Sequence, residues 1–293
     1  MPPSLLEQYY QEHRNLLTAL SYRLTGSWSD AEDIVQEIFV DLQQNAKEDE
    51  IRYPKSYFMR AVANRSLNAL KSPRHSRELY TGSWLPEPVF EPSPETQLDT
   101  LLKEEQVSYA FMVMLERLTP DERAVFVLRE SFALEYADIA EIIGKSEVAC
   151  RKLLSRARKK VNTEMPSQQP SEAVVAKWVS VFIKASRTGE FSPLLELLRE
   201  DAVMLSDGGG KVKAAINPIV SKVRIVAFWQ GIAAKGSLLG ELVPIRINGE
   251  IGLVHYRDGI ALRIILFEGD SQGRIRRIYF IANPDKIEKA PPQ

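Results

Sequence analysis

From Leu5 to Leu70 apolar residues recur three and four positions apart, a spacing that predicts three amphipathic helices. The first carries Leu5, Tyr9, Leu16, Leu20 and Leu24 on its buried face. The second carries Ala31, Ile34, Val35, Ile38, Phe39 and Leu42, and the third Tyr57, Phe58, Ala61, Val62 and Leu67. Tyr53, Tyr57 and Phe58 read more readily as core than as stacking platforms. From Ser72-Pro73 to Pro94 the pattern breaks, and Pro86, Pro88 and Pro92 predict an extended linker, because proline lacks the amide and the freedom that a helix needs. Helical spacing resumes near Glu95 and runs to about Val161.

Inside that stretch lies a helix-turn-helix pattern. Thr119 is placed to cap a helix with Pro120 in its first position and Asp121 and Glu122 on its dipole. Val125, Phe126, Leu128 and Phe132 mark its buried side. A short helix from about Leu134 to Ile143, with Ile139, Ala140 and Ile143 apolar, ends at Gly144, which permits a tight turn. Ser146 caps the helix that follows. Its Cys150, Leu154 and Ala157 face inward, which leaves Arg151, Lys152, Arg156 and Arg158 on or beside an outward stripe. A basic stripe after a glycine turn suits a major groove, where Arg and Lys reach base acceptors and neutralise phosphate. The competing reading, a solvated helix end, accounts for the cations alone.

After a second linker, Met165 to Pro170, the period changes. Helices are predicted at Glu172 to Ser186 and Ser192 to Arg199, a strand at Ala202 to Ser206, and a helix at Pro218 to Ala234. Four strands follow: Val243 to Ile247, Ile251 to Tyr256, Ile260 to Phe267 and Ile275 to Ile281. Asn248-Gly249 and Asp258-Gly259 are hairpin signals. Helices followed by a strand meander predict an α+β domain with its helices on one face of a curved sheet.

Composition adds constraints. The formal net charge of -1 across 293 residues gives no overall positive field, so DNA affinity must come from local patches or from a partner. One Cys excludes an internal disulfide, and three His without ligand spacing argue against structural zinc; no metal and no cofactor is expected. The N-terminus lacks a signal-peptide pattern and no apolar run nears ~20 residues, so a cytoplasmic protein without a membrane segment is expected.

Asp30-Ala31-Glu32-Asp33-Ile34-Val35-Gln36-Glu37-Ile38-Phe39 resembles the polymerase-binding helix of bacterial sigma factors of the sigma-70 class, in particular the extracytoplasmic-function group. Ala61, Asn64, Asn68 and Lys71 occupy the pattern of that family's helix for the minus-10 element, with Asn and Lys replacing the usual Asp and Arg. The helix-turn-helix is similar to its minus-35 domain, although Leu153 stands where a basic residue is frequent and Ala149 where Thr is. The resemblance implies two all-α sigma domains and a non-enzymatic initiation factor with core RNA polymerase and promoter DNA as partners. It further implies that Asp30, Glu32, Asp33, Gln36, Glu37 and Phe39 dock on the clamp coiled coil of the beta-prime subunit. Arg60, Asn64, Arg65, Asn68 and Lys71 would meet melted DNA. In the minus-35 helix, Arg151 and Lys152 would contact bases, Ser146 and Arg156 would hold phosphate, and Arg158 would add to the DNA surface. The expected organisation is region 2 over 1–75, a linker over 76–104, region 4 over 105–165 and a third domain over 171–293.

The third domain resembles the cone-shaped SnoaL-like domain fused to one subgroup of these factors. Three motifs carry that likeness: Trp84-Leu85-Pro86-Glu87-Pro88, Asp207-Gly208-Gly209-Gly210-Lys211 and Asn283-Pro284-Asp285-Lys286-Ile287, the last usually ending in Leu. By resemblance the domain regulates in place of a separate anti-sigma factor, and the three motifs are expected to form one intramolecular contact. The glycine loop is no Walker A site, because Val212 follows the lysine. Two alternatives concern this domain. One is catalysis through Asp207, His255 and Asp258, which no spacing brings together. The other is sensing of an unidentified small ligand in a pocket lined by Phe228, Trp229, Tyr256 and Phe267.

Overall fold

A computed structural model describes residues 5–45, 53–72, 80, 82–90, 107–164 and 170–293. The helix expected to resume at Glu95, with Pro73, Pro92 and Pro94, lies outside the described residues. The chain forms two compact units.

The first unit is helical. α1 (Leu5–Thr25), α2 (Trp28–Asn45) and α3 (Pro54–Lys71) bury most of the apolar stripes that the spacing predicts: Leu20 and Leu24, then Ile34, Val35 and Ile38, then Phe58, Val62 and Leu67; in α1 Leu17 is fully buried where Leu16 was expected, and Leu16 is half-buried. Tyr53 and Tyr57 overturn the expectation that they are core, being 77% and 44% exposed. They stand at the start of α3, where the helix has not yet met its neighbours. α4 (Tyr109–Leu115) leads to α5 (Pro120–Phe126), which runs on as one π-helical turn, Val127–Ser131. Thr119 caps α5 through a reciprocal capping box: its hydroxyl accepts from the Glu122 amide, and its own amide donates to the Glu122 carboxylate. α6 (Tyr136–Ile143) ends on Gly144 at φ 66°, the left-handed conformation that a glycine adopts without strain. α7 (Glu147–Glu164) follows, with Ser146 Oγ accepting from the Ala149 amide and Cys150, Leu154 and Ala157 buried.

The second unit contains the α+β domain. α8 (Glu172–Thr188) and α9 (Ser192–Leu197) precede β1 (Leu198–Asp207), so the predicted helix gives way to strand two residues before Arg199. β2 (Ile219–Val220) likewise takes the start of the helix expected from Pro218. α10 (Lys222–Ala234) begins only after Ser221, whose hydroxyl accepts from the Arg224 amide. Pairing with β6 in the first place and with β1 in the second overrides a local helical pattern. β3 (Glu241–Ile247), β4 (Glu250–Arg257), β5 (Ile260–Gly269) and β6 (Ile275–Ile281) complete a six-stranded sheet in the order β2-β1-β6-β5-β4-β3, with β1 parallel to β6 and the other pairs antiparallel. Asn248-Gly249 and Asp258-Gly259 turn the hairpins with positive φ at all four residues, as type I′ turns require. Register shifts in β1, β4 and β5 bend the sheet.

One face of the sheet packs against α8, α9 and α10 through Met204, Leu253, Ile265, Phe267, Ile278 and Phe280. Trp178, Phe182, Phe191 and Trp229 fill the hollow. Phe182 and Trp229 meet edge to face at 4.7 Å, and Trp229 meets Phe280 at 5.3 Å. The alternating residues Glu268 and Tyr279 face the opposite side. The short α11 (Pro284–Ile287) follows β6.

Candidate functional site

On α2 the acidic and amide side chains divide by helical position. Asp33, Gln36 and Glu37 are exposed and Asp30 and Glu32 half-buried, while Ile34, Val35 and Ile38 point inward. Phe39 also points inward, contrary to its nomination as a partner contact: it is buried, stacked on Phe58 at 4.5 Å and edge-on to Tyr10 at 5.0 Å. Val40 takes its place on the outer face, 47% exposed beside Gln36 and Glu37. The signal was its spacing of three and four from those residues.

On α3, Asn64 and Asn68 are exposed, whereas all three nominated cations hold carboxylates. Arg65 reaches Asp41 at 2.8 Å and Glu37 at 3.7 Å on α2. Arg60 meets Asp138 and, at 2.8 Å, Glu141, both on α6; Lys71 meets Asp121 on α5 at 2.8 Å. None of these acids was singled out as a partner for α3 in the sequence, since nothing local links positions so far apart. Buried Arg123 ties the same unit together: its Nε donates to the Arg23 carbonyl at 2.8 Å, and its Nη1 pairs with Glu116 at 2.5 Å.

On α7 the outward stripe is present. Lys152 and Arg156 are exposed and have no ion pair among the described residues. Arg151 pairs with Glu147 at 3.2 Å and lies 4.0 Å over the Tyr136 ring, while Arg158 pairs with Glu130 at 2.7 Å. Leu153, which stands where relatives often carry a base, is buried, so its departure serves packing. Val148, exposed at the start of α7, went unnoticed in the sequence.

In the second unit the three short motifs converge. Asp207, at the end of β1 and fully buried, accepts from the Leu85 amide at 2.9 Å, from Tyr80 Oη at 2.5 Å and from Lys286 Nζ at 2.7 Å. Lys286 also donates to the Leu85 carbonyl and lies 4.0 Å from the Trp84 ring centre. Leu85 to Pro88 are buried. Asn283 donates to Tyr80 Oη at 3.0 Å, and a Cβ on Gly209 would sit 2.5 Å from the Asn283 side chain, so the glycine is required for that approach. Only Gly209 and Gly210 of the three glycines have positive φ. Lys211 faces Asp285 at 2.7 Å on the surface, away from the linker. Burial first, then the bond to Asp207, pushes the Tyr80 phenol well above its ordinary range.

The linker continues along the sheet. Tyr109 Oη donates to the Pro86 carbonyl at 2.8 Å and its ring meets Tyr279 edge-on at 5.3 Å. Val89 exchanges hydrogen bonds with Asn248, and Phe90 bridges to Ile247 at the end of β3. Tyr80, Tyr109 and Asn248 were missed as linker partners; Asn248 read only as a turn residue.

Beside this track Glu250 is pushed up to about 7, by burial first and then by the Glu268 carboxylate, against a hydrogen bond from the Tyr109 amide. The folded state therefore holds its proton more tightly than the unfolded chain. Stability from this group is present below the ordinary carboxylate range and lost as pH rises through about 7. Glu250→Gln is expected to raise the unfolding free energy at pH 8 by up to about 3 kcal/mol while changing little at pH 4.5, read from urea melts at both values. Equal effects at both would overturn the assignment.

Of the residues weighed for catalysis, His255 and Asp207 are engaged by other groups. His255 is buried, its Nε2 bonded to the Leu239 carbonyl at 3.0 Å and its Nδ1 to Arg263 at 3.1 Å, and burial followed by the neighbouring arginines lowers its pKa. Asp258 sits in an exposed hairpin turn and Asp207 holds the linker. Of the four residues proposed to line a ligand pocket, Trp229, Phe267 and Phe228 pack into the aromatic core. Tyr256 instead donates to the Pro291 carbonyl at 2.7 Å. No helix among the described residues is long and apolar enough to cross a membrane.

Two helical modules, the second a helix-turn-helix with a basic outer face, joined to an α+β domain, define a sigma-70-type architecture. The family profile described as Sigma-70 region 2 matches residues 9–76, and that described as Sigma-70, region 4 matches residues 108–161. The ECF RNA polymerase sigma factor SigJ of Mycobacterium tuberculosis is 34% identical over 296 aligned residues, covering 96% of this chain and 93% of that protein. A probable ECF RNA polymerase sigma factor, SigI, of the same species is 33% identical over 64% of this chain and 65% of its own length. The crystal structure of the Mycobacterium tuberculosis extracytoplasmic function sigma factor SigJ superposes with a TM-score of 0.76 at 31% identity, over 98% of this chain and 99% of that one. The chain belongs to the extracytoplasmic-function sigma factors of RNA polymerase, with a SnoaL-like domain at its C-terminal end.

Proposed function

We propose that this sigma factor is regulated within its own chain, by a C-terminal domain that grips the linker preceding region 4. The observation that carries the reading is the buried Asp207–Lys286 pair, which brackets the backbone of Leu85 from both its amide and its carbonyl. A linker held at that point has less reach. The gap between the minus-10 and minus-35 modules on a promoter must be spanned by the chain between α3 and α5, so undocking is a cost paid before both elements are engaged.

In the same reading, Asp33, Gln36 and Glu37, with Val40 as apolar anchor, meet the clamp coiled coil of the beta-prime subunit. Asn64 and Asn68 read melted minus-10 DNA, and α7 enters the minus-35 major groove with Arg151 and Lys152 at base edges. The work of the protein is then cytoplasmic, with transcription initiation rather than catalysis by the C-terminal domain as its activity. Lys286→Met keeps the alkyl stem and removes the ammonium. Transcription from genomic promoter fragments with core polymerase is expected to rise at least threefold, with core binding unchanged. Equal output from both proteins would sink the reading.

A further inference from the structure

Arg60 and Lys71 lie on one side of α3, about 16 Å apart along the helix, with Asn64 between them. Each is met by acids of the helix-turn-helix. The Arg60 guanidinium is shared between Asp138 and Glu141, and Lys71 shares Asp121 with Lys145 at 2.8 and 3.1 Å. Although burial works against ionisation of Asp121, hydrogen bonds from those two lysines hold its carboxyl below the ordinary range. Asn64 and Asn68 remain exposed. The groups suited to bases are open, while two of the groups suited to phosphate are occupied by carboxylates.

Carboxylates and phosphates offer these cations the same charge-assisted contacts. We propose that Asp121, Asp138 and Glu141 are positioning residues that stand in for DNA phosphates. They keep the minus-10 helix closed on the helix-turn-helix until nucleic acid displaces them. This inference rests on α3 being the minus-10 helix and is independent of the linker dock. The pairs are partly exposed, a setting in which each is weak, so a phosphate backbone can compete for the cations one at a time. These pairs can exchange without breaking the buried bond from Arg123 to the Arg23 carbonyl, which joins α5 to α1 independently of them.

The test uses the full chain and a short fluorescein-labelled single strand of mixed sequence, titrated by anisotropy between 50 and 200 mM salt. Asp121→Asn/Asp138→Asn/Glu141→Gln is expected to bind about tenfold more tightly at low salt. Its log–log salt dependence should steepen by about 1.4 to 2.1, from two or three freed cations at roughly 0.7 each on a single strand, since Lys145 is freed from Asp121 along with Lys71. Unchanged affinity and slope in a variant with wild-type circular dichroism would overturn the proposal. Adding Arg60→Gln/Lys71→Gln/Lys145→Gln must remove the gain; a gain that persists arises from other cations and equally overturns it. A holoenzyme carrying only Arg60→Gln/Lys71→Gln checks the underlying assignment: unimpaired promoter transcription would show that α3 is not the minus-10 helix, and the clamp would fall with it.

Discussion

Asp207→Ala is expected to destabilise the C-terminal domain by about 3–5 kcal/mol, because it leaves the Lys286 ammonium without its carboxylate in a buried site. The same change removes the acceptor of the Leu85 amide and of Tyr80 Oη. The loss should therefore extend beyond the domain into the linker. Hydrogen exchange in peptides covering residues 82–90 should accelerate, with the Val89 amide, bonded to Asn248, following that of Leu85. The melting transition should fall by roughly 10 °C. Asp207→Asn keeps the shape but not the charge, and should lie between the wild type and the alanine variant. Wild-type exchange across the linker in Asp207→Ala would mean that the apolar burial of Leu85 to Pro88 holds the segment by itself.

Arg123→Ala should cost the helical unit a similar amount. Its guanidinium is fully buried and bonds the Arg23 carbonyl at the end of α1 and the Glu116 carboxylate at the end of α4. Removing it opens a large cavity and leaves Glu116, about one-tenth exposed, without its guanidinium, for about 3–5 kcal/mol in a urea melt. Much of that cost is the stranded charge rather than the lost contact. Arg123→Met/Glu116→Gln, which removes both charges and keeps the volume, should recover more than half of the loss. Failure to recover would assign the cost to the bond with Arg23 instead. Because Arg123 joins α5 to α1, its removal should also change how the helix-turn-helix is held, which the strand-binding assay reads independently of stability.

The two variants probe different kinds of legibility. The linker dock was anticipated from three short motifs carried by resemblance, with a tryptophan among prolines and three glycines flanked by Asp207 and Lys211 as physical support; the buried pairing with Asp207 falls to Lys286, while Lys211 faces Asp285. The meeting of the three was a matter of matching motifs. Arg123 offered no such signal. It follows Asp121 and Glu122 on a helix start, where a charged residue is ordinarily solvated, and only the position of α1 takes it out of water.

Helix periods, the capping box at Thr119, the left-handed turn at Gly144 and the two I′ hairpins were all readable in the chain, since each depends on residues within a few positions of one another. The family, and with it the work of promoter-directed initiation, was readable for the same reason. What tertiary structure decided was partnership and burial. Phe39 turned inward because Phe58 and Tyr10 were there to receive it; Tyr53 stayed exposed and Tyr57 only partly covered, edge-on to Phe58. Three of the four aromatics nominated to line a pocket, Phe228, Trp229 and Phe267, closed into the core instead. Arg60 and Lys71, read in the sequence as groups for DNA, were given to acids far along the chain. Periodicity and capping are local and can be read from spacing, whereas the neighbour that neutralises a charge or covers a ring depends on how separate elements pack, and no spacing encodes that.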